Sequence, residues 1–258
     1  MHHAHIDKFA YQDSAIHRLD SRVKFLVVLV FTAVVISLPR TSLSILACYA
    51  VGPFAVLVLA GIPLKFISKQ IVLVSPFVVV LALSCPLYDK TSIPVSFGPF
   101  TWQSTVGWMR CFAILGKFVV TMLALIALIS TTRFNDLLSG LQQLGVPRLL
   151  IIQLGFLYRY IFVLIDRAHR ILRARAGRKL KNLGFGAELR TATSMLGSLF
   201  IRSIDSAERT SIAMQARGFD GSWRTLSTLQ IRRCDIVFVL IAITYMLGLY
   251  LFIRPVLQ

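Results

Sequence analysis

Arg217 stands between Ala216 and Gly218 in the stretch AMQARGFDG, which closes a long run of helix-forming residues. Glycine adopts positive φ freely and commonly sits one residue past the end of a helix. The spacing therefore predicts a helix that stops at Gly218 and leaves Arg217 at its tip. A guanidinium in that place offers a planar fork of donors to carboxylates or backbone carbonyls of a partner. The small Ala216 beside it lets the tip enter a narrow groove. A second stretch, ILRARAGR, reads the same way and ends at Arg178. Aligning DRAHRILRARAG (166–177) with ERTSIAMQARGF (208–219) sets Asp166 against Glu208, Arg167 against Arg209, Ala174 against Ala216 and Arg175 against Arg217, with Ala176 in the place of Gly218. In each copy an acid–arginine pair opens, six residues follow, and an Ala-Arg-small triplet closes. The repetition is either chance within an arginine-rich segment or a pair of docking plugs. Two plugs imply two similar grooves, and so a dimeric or pseudo-dimeric partner.

Catalytic chemistry has little material. There is no G-x-x-x-x-G-K-[ST]; Gly116-Lys117-Phe118 lies in an apolar run without the rest of that pattern. H-E-x-x-H and G-x-S-x-G are absent too, and the chain has only two glutamates, Glu188 and Glu208. No catalytic residue is expected. The N-terminal MHHAHIDKF offers His2, His3, His5 and Asp7, a spacing that can take Ni²⁺, Co²⁺ or Zn²⁺ adventitiously. We read it as a solvated tail and expect no metal site, since a mobile terminus loses entropy on ordering and no supporting hydrogen bonds are visible. His17 and His169 read as interfacial or solvated. The cysteines, Cys48, Cys85, Cys111 and Cys234, show no CxxC spacing, and three lie in apolar runs. Neither disulfides nor zinc are expected.

These arginines sit in a chain of 258 residues that is 56% hydrophobic, with mean hydropathy +0.74. That composition belongs to an integral membrane protein. The net charge of +17 invites a nucleic-acid reading, which we set aside: in membrane proteins Lys and Arg mark the loops that stay on the cytoplasmic side. Apolar runs at Phe25–Leu38, Leu43–Gly61, Ile71–Leu87, Trp108–Ser130 and Ile236–Ile253 read as five spans, with Gly52-Pro53 expected to kink the second. The polar segment between the third and fourth, residues 88–107, reads as a loop or short hairpin. The run Leu149–Ile165 contains Gln153 and Arg159. Were it a span, residues 166–233, with 14 Lys and Arg against five acids, would lie outside. It is therefore read as an amphipathic or re-entrant helix at the cytoplasmic interface. The N-terminus is then inside and the C-terminus outside, with only Arg40, Lys90 and Arg254 in the outer segments and Lys65 and Lys69 in an inner turn. The expected fold is all-α: about five transmembrane helices plus long cytoplasmic amphipathic helices. The expected division is a tail and four-helix region over 1–131, a cytoplasmic or interfacial domain over 132–233 and a last span over 234–258. Arg110, Lys117 and Arg159 lie in apolar runs. Arg110 and Arg159 can snorkel. Lys117 either makes a polar contact with another helix or subunit or reaches the headgroups.

Ala216-Arg217-Gly218, with the imperfect copy Ala174-Arg175-Ala176, resembles the coupling motifs of the transmembrane T component of energy-coupling factor transporters. The N-terminal IDKFAYQDSAIHRLDSRVKFL (6–26) resembles the opening of the cobalt-type CbiQ family, with Asp20-Ser21-Arg22 where the family carries Asp-Pro-Arg. The resemblance covers nearly the whole chain. It implies a non-catalytic coupling subunit of a bacterial or archaeal cytoplasmic membrane. It also implies two ATP-binding cassette subunits that hold ATP and Mg²⁺, and a separate membrane subunit that captures the substrate. Cobalt is the substrate the resemblance implies, with a nickel or vitamin importer as the alternative. A self-contained permease is disfavoured by the near absence of acids in the spans, where Asp89 lies in a loop and Asp235 at a helix start. A membrane-bound enzyme is disfavoured by the missing catalytic constellations.

Overall fold

The computed structural model describes residues 10, 12, 14, 16–38, 43–88, 92–97, 100–178, 184–221 and 232–253. Eight helices and one hairpin occur among them: α1 (Ser21–Ser37), α2 (Leu43–Leu59), α3 (Leu64–Tyr88), β1 (Ser92–Phe97), β2 (Phe100–Thr105), α4 (Val106–Thr131), α5 (Phe134–Gln143), α6 (Arg148–Ala176), α7 (Phe185–Ala216) and α8 (Arg233–Ile253). The protein is thus an all-α membrane protein to which a single antiparallel hairpin is added, in register from Phe97↔Phe100 to Ser92↔Thr105. The hairpin falls where turn-forming and β-branched residues interrupt the apolar pattern. The chain gathers into two compact units, Met1–Gly140 with Ser227–Gln258, and Leu141–Leu226.

In the first unit α4 is the central helix and packs against α1, α2 and α3. Its buried residues Val120, Leu123, Ala124, Ala127 and Thr131 recur at helical spacing, which is the stripe an α-helix turns toward its neighbours. Leu57, Ile62 and Ile67 close on Leu123 and Ala127, while Phe31, Val35 and Tyr49 close on Val120 and Ala124. On α3, Leu73, Phe77, Val80 and Leu87 are exposed. In a membrane protein such residues belong against lipid, where burial within the protein gives no hydrophobic advantage.

Among the described residues four helices are long and apolar enough to cross a membrane: the segments Leu64–Leu87, Gly107–Thr131, Arg148–Ala176 and Arg233–Tyr250. α1 and α2 have 17 residues each, about 26 Å at 1.5 Å per residue. One feature departs from the sequence expectation. The run Leu149–Ile165 and the arginine-rich stretch after it are not separate pieces but one unbroken helix of 29 residues, α6. Leu and Ile give way to Arg and Ala, all good helix formers, with no Pro or Gly before Gly177 other than the buried Gly155 to interrupt the ladder.

Gly52-Pro53, where the sequence leads us to expect a kink, makes a contact with α8. α2 runs on through Pro53. The Tyr245 hydroxyl, from α8, accepts a hydrogen bond from Gly52 N–H at 3.1 Å and donates to the Cys48 carbonyl at 2.5 Å. A side chain thus enters the backbone ladder of α2 and ties it to α8. Only glycine permits this approach: a Cβ at position 52 would lie 2.8 Å from the Tyr245 ring.

Candidate functional site

The Arg217 tip is built as its sequence predicts. α7 ends at Ala216, Arg217 is its cap residue, and Gly218 has φ 74°. Gly218 N–H donates to the Gln215 carbonyl at 3.0 Å and Phe219 N–H to the Met214 carbonyl at 3.0 Å. This pair of bonds is the Schellman arrangement, which satisfies carbonyls that a helix end leaves open. Phe219, the next residue, packs its ring on Phe156 of α6 with centroids 6.3 Å apart. The tip is therefore fixed at its backbone and at its flank, while Ala216, Arg217 and Gly218 are all exposed. Nothing lies within 4 Å of where a Cβ at Gly218 would stand, so the surface around the tip is open.

The Arg175 tip differs. Gly177 caps α6 in the right-handed helical region, with φ −67° and ψ −17°, and its N–H donates to the Arg173 carbonyl at 3.0 Å. Arg175 lies in the last helical turn, half-buried, and does not project past the end; Ala174 and Ala176 are exposed. The expected likeness between the two ends holds for residue type and fails for backbone. With Ala176 where the other tip has glycine, the helix continues two residues further rather than turning off through a positive φ. Of the opening pairs, Asp166, Glu208 and Arg209 are exposed, and the Arg167 guanidinium donates to the Arg202 carbonyl of α7 at 3.3 Å. That contact and the Phe156–Phe219 contact run in opposite directions along the two chains, so α6 and α7 form an antiparallel pair.

In the other unit, a cluster that sequence reasoning passed over joins four distant parts of the chain. Asp235, in the first turn of α8, is 2% exposed. Its carboxylate accepts from Asp20 N–H at 2.8 Å and from Arg232 N–H at 2.6 Å. Asp20 caps α1 by accepting from Arg22 N–H at 2.9 Å. Lys24, 4% exposed, donates to the last carbonyl of α4, Thr131, at 2.9 Å and to His17 O at 3.3 Å. Ser21 donates to Asp136 O of α5 at 2.7 Å. The residues Asp20-Ser21-Arg22, noted above only for their family likeness, thus sit where α1, α4, α5 and α8 meet. Asp235, read from sequence merely as a helix start, is a fully hydrogen-bonded anchor. The one hint available in advance was the concentration of charge in the few residues before Phe25.

Lys117 makes the inter-helix contact that was one of its two readings: its ammonium donates to Ile36 O at 2.9 Å and Leu38 O at 2.6 Å. It thereby neutralises the carbonyl end of α1. All four cysteines are free thiols, Cys111 buried. Among the described residues no three His, Cys, Asp or Glu side chains come together in a way that holds a metal. His2, His3, His5 and Asp7 lie outside the described residues.

Comparison with known proteins places this arrangement. The family model described as cobalt transport protein, CbiQ, matches residues 12–228. An energy-coupling factor transporter transmembrane protein EcfT from Leuconostoc gelidum is 30% identical, over 85% of this chain and 85% of its own length. A cobalt transport protein CbiQ from Rhodobacter capsulatus is 28% identical over 80% of each. An uncharacterized protein from Methanocaldococcus jannaschii is 32% identical over 49% of this chain and 44% of its own length. The family match takes in both arginine tips and the Asp20–Lys24 cluster, and the chain belongs to the CbiQ cobalt transport protein family.

Proposed function

We propose that this chain is the membrane coupling subunit of an ATP-driven importer of the energy-coupling factor type. In this reading residues 132–233 are the coupling domain on the cytoplasmic side. Arg217 and Arg175 are plugs for grooves in two ATP-binding cassette subunits. ATP and Mg²⁺ belong to those subunits, and this chain carries no catalytic residue. A separate membrane subunit captures the substrate. Cobalt is the substrate that the family points to, with nickel or a vitamin as the alternative. The observation that carries the reading is the Arg217 tip: an exposed guanidinium on a helix end that is held rigid by a Schellman turn and by Phe219 on Phe156. A docking element needs both exposure and pre-organisation, because ordering a loose segment at the moment of binding subtracts from affinity.

The reading has room for the membrane partner too. On α7, Phe185, Leu189, Leu196 and Phe200 are exposed apolar residues at spacings that return to one face. Such an exposed face is suited to an apolar membrane protein. The membrane concerned is the cytoplasmic one, with the N-terminus inside and the C-terminus outside.

Arg217→Glu tests the docking role. A carboxylate aimed at acceptors in a closed groove costs about 3 kcal/mol, roughly a hundredfold in affinity. We expect the variant to insert in the membrane at normal levels and to lose co-purification with the ATPase subunits and ATP-driven uptake. Arg175→Glu should act in the same direction and more weakly, since Arg175 is half-buried inside the last turn. Normal co-purification and uptake in Arg217→Glu would dismiss the plug.

A further inference from the structure

The antiparallel pair α6–α7 encloses an open cleft of about 1010 Å³. Six arginines line it: Arg167, Arg170, Arg175 and Arg178 from α6 and the residue just past its cap, and Arg202 and Arg209 from α7. A single carboxylate, Asp205, shares the lining. The lining thus sets six guanidiniums against one carboxylate. The Arg167 guanidinium donates to the Arg202 carbonyl at 3.3 Å, a neutral acceptor that leaves the charge in place. Six like charges around one cleft repel each other and raise a strong local positive potential. An anion with several oxygens relieves that potential, and guanidinium forks match the geometry of phosphate oxygens.

We propose that this cleft binds the phosphate headgroup of an anionic phospholipid. The same helix supplies the reason to favour a lipid. Leu150, Leu154, Leu157, Ile161 and Ile165 are exposed and recur every three or four residues along the first half of α6, giving a continuous apolar stripe. The same face carries on to Leu172, and Arg175, three residues further and about 4.5 Å along the axis at 1.5 Å per residue, lines the cleft. Acyl chains along the stripe would bring their phosphate to the mouth of the cleft. Within it, Ile171, Met195 and Leu199 offer an apolar floor for the glycerol and upper acyl carbons. Basic pockets beside membrane-embedded helix segments on the cytoplasmic face are suited to such headgroups. A bound lipid would hold α6 and α7 together by neutralising both at once.

The test uses the full chain purified in a neutral detergent, with no ATPase subunits present, and native mass spectrometry. Dioleoylphosphatidylglycerol is titrated against dioleoylphosphatidylcholine, with inorganic phosphate and ATP as separate arms. The variants change exposed residues away from the two docking tips: the pair Arg170→Gln with Arg202→Gln, and the pair Arg170→Lys with Arg202→Lys. Wild-type chain is expected to retain phosphatidylglycerol and not phosphatidylcholine. The glutamine pair should weaken phosphatidylglycerol binding about thirtyfold, as the loss of two basic residues near a headgroup predicts, and the lysine pair should keep most of it. Circular dichroism of each variant reports that the helices remain. Unchanged phosphatidylglycerol binding in the glutamine pair, or equal retention of phosphatidylcholine, would overturn the site. Inorganic phosphate or ATP binding as tightly as the lipid would overturn the lipid source. Because Arg175 and Arg217 are untouched, these outcomes are read independently of the docking role.

Discussion

Gly218 and Asp235 each do something no other residue type does as well. At φ 74°, alanine at position 218 meets no neighbour and suffers only the backbone penalty, about 1–2 kcal/mol. Gly218→Ala is therefore expected to leave the bundle intact and loosen the tip, lowering ATP-driven uptake without lowering the amount of inserted protein. Gly218→Asn, which tolerates the left-handed region, should retain more uptake than Gly218→Ala; equal loss in both would show that the backbone conformation is irrelevant. Asp235 is a different case. Its carboxylate satisfies two buried or half-buried N–H groups, so Asp235→Ala strands both and should cost about 3 kcal/mol. Asp235→Asn keeps the shape and an acceptor oxygen and should cost less. Thermal unfolding of the detergent-solubilised chain orders the three proteins, and a ranking with Asp235→Asn lowest would contradict this account. Gly218 was legible in the sequence because helix termination is local, written within five residues. Asp235 was not, since its partner Asp20 lies 215 positions away and nothing in either neighbourhood announces the pairing.

Among the elements, α2 and α8 show how a local weakness is repaired at long range. Proline at position 53 removes a donor from the ladder of α2, and Gly52 ahead of it lacks a side chain. Tyr245 from α8 braces the adjacent rung, bonding both Gly52 and Cys48. Tyr245→Phe removes the bridge to α8; because Gly52 N–H and the Cys48 carbonyl are i→i−4 partners that can pair directly, the loss is the net worth of the inter-helix bonds, about 1 kcal/mol. Gly52→Ala forces the ring away, because a Cβ there would stand at 2.8 Å. Both variants are expected to weaken α8 docking, seen as faster proteolysis near residue 232 in the solubilised protein; resistance equal to wild type in both would show that α8 is held elsewhere. The Gly-Pro pair told the reader where α2 was weak and could not tell what compensates. The hairpin was legible from its β-branched and turn residues, and the amphipathic helices from their spacing. The single-helix character of α6 was not, because a change from apolar to basic composition reads as a boundary while both halves share the same backbone preference.

For the whole molecule the decisive quantity is where the charge lies. Composition and length alone let α6 cross a bilayer. Charge argues otherwise: with α1 to α4 as four crossings from an inside N-terminus, a crossing at α6 would carry residues 166–233 outward with 14 basic residues and five acids. The positive-inside bias opposes that arrangement. An interfacial α6 would instead keep both arginine tips on the cytoplasmic side and leave α8 as a fifth crossing, which would set the C-terminus outside. The sharpest check uses two positions outside the described residues, Asn182 and Gln258. In a variant without native cysteines, Asn182→Cys should react with a membrane-impermeant maleimide only after the cells are permeabilised. A periplasm-active reporter fused after Gln258 should be active. Labelling of Asn182→Cys from outside intact cells would place the tips on the wrong side for any ATPase. An inactive Gln258 fusion combined with a protected Asn182→Cys would mean that α8, the proposed crossing between those two positions, fails to cross.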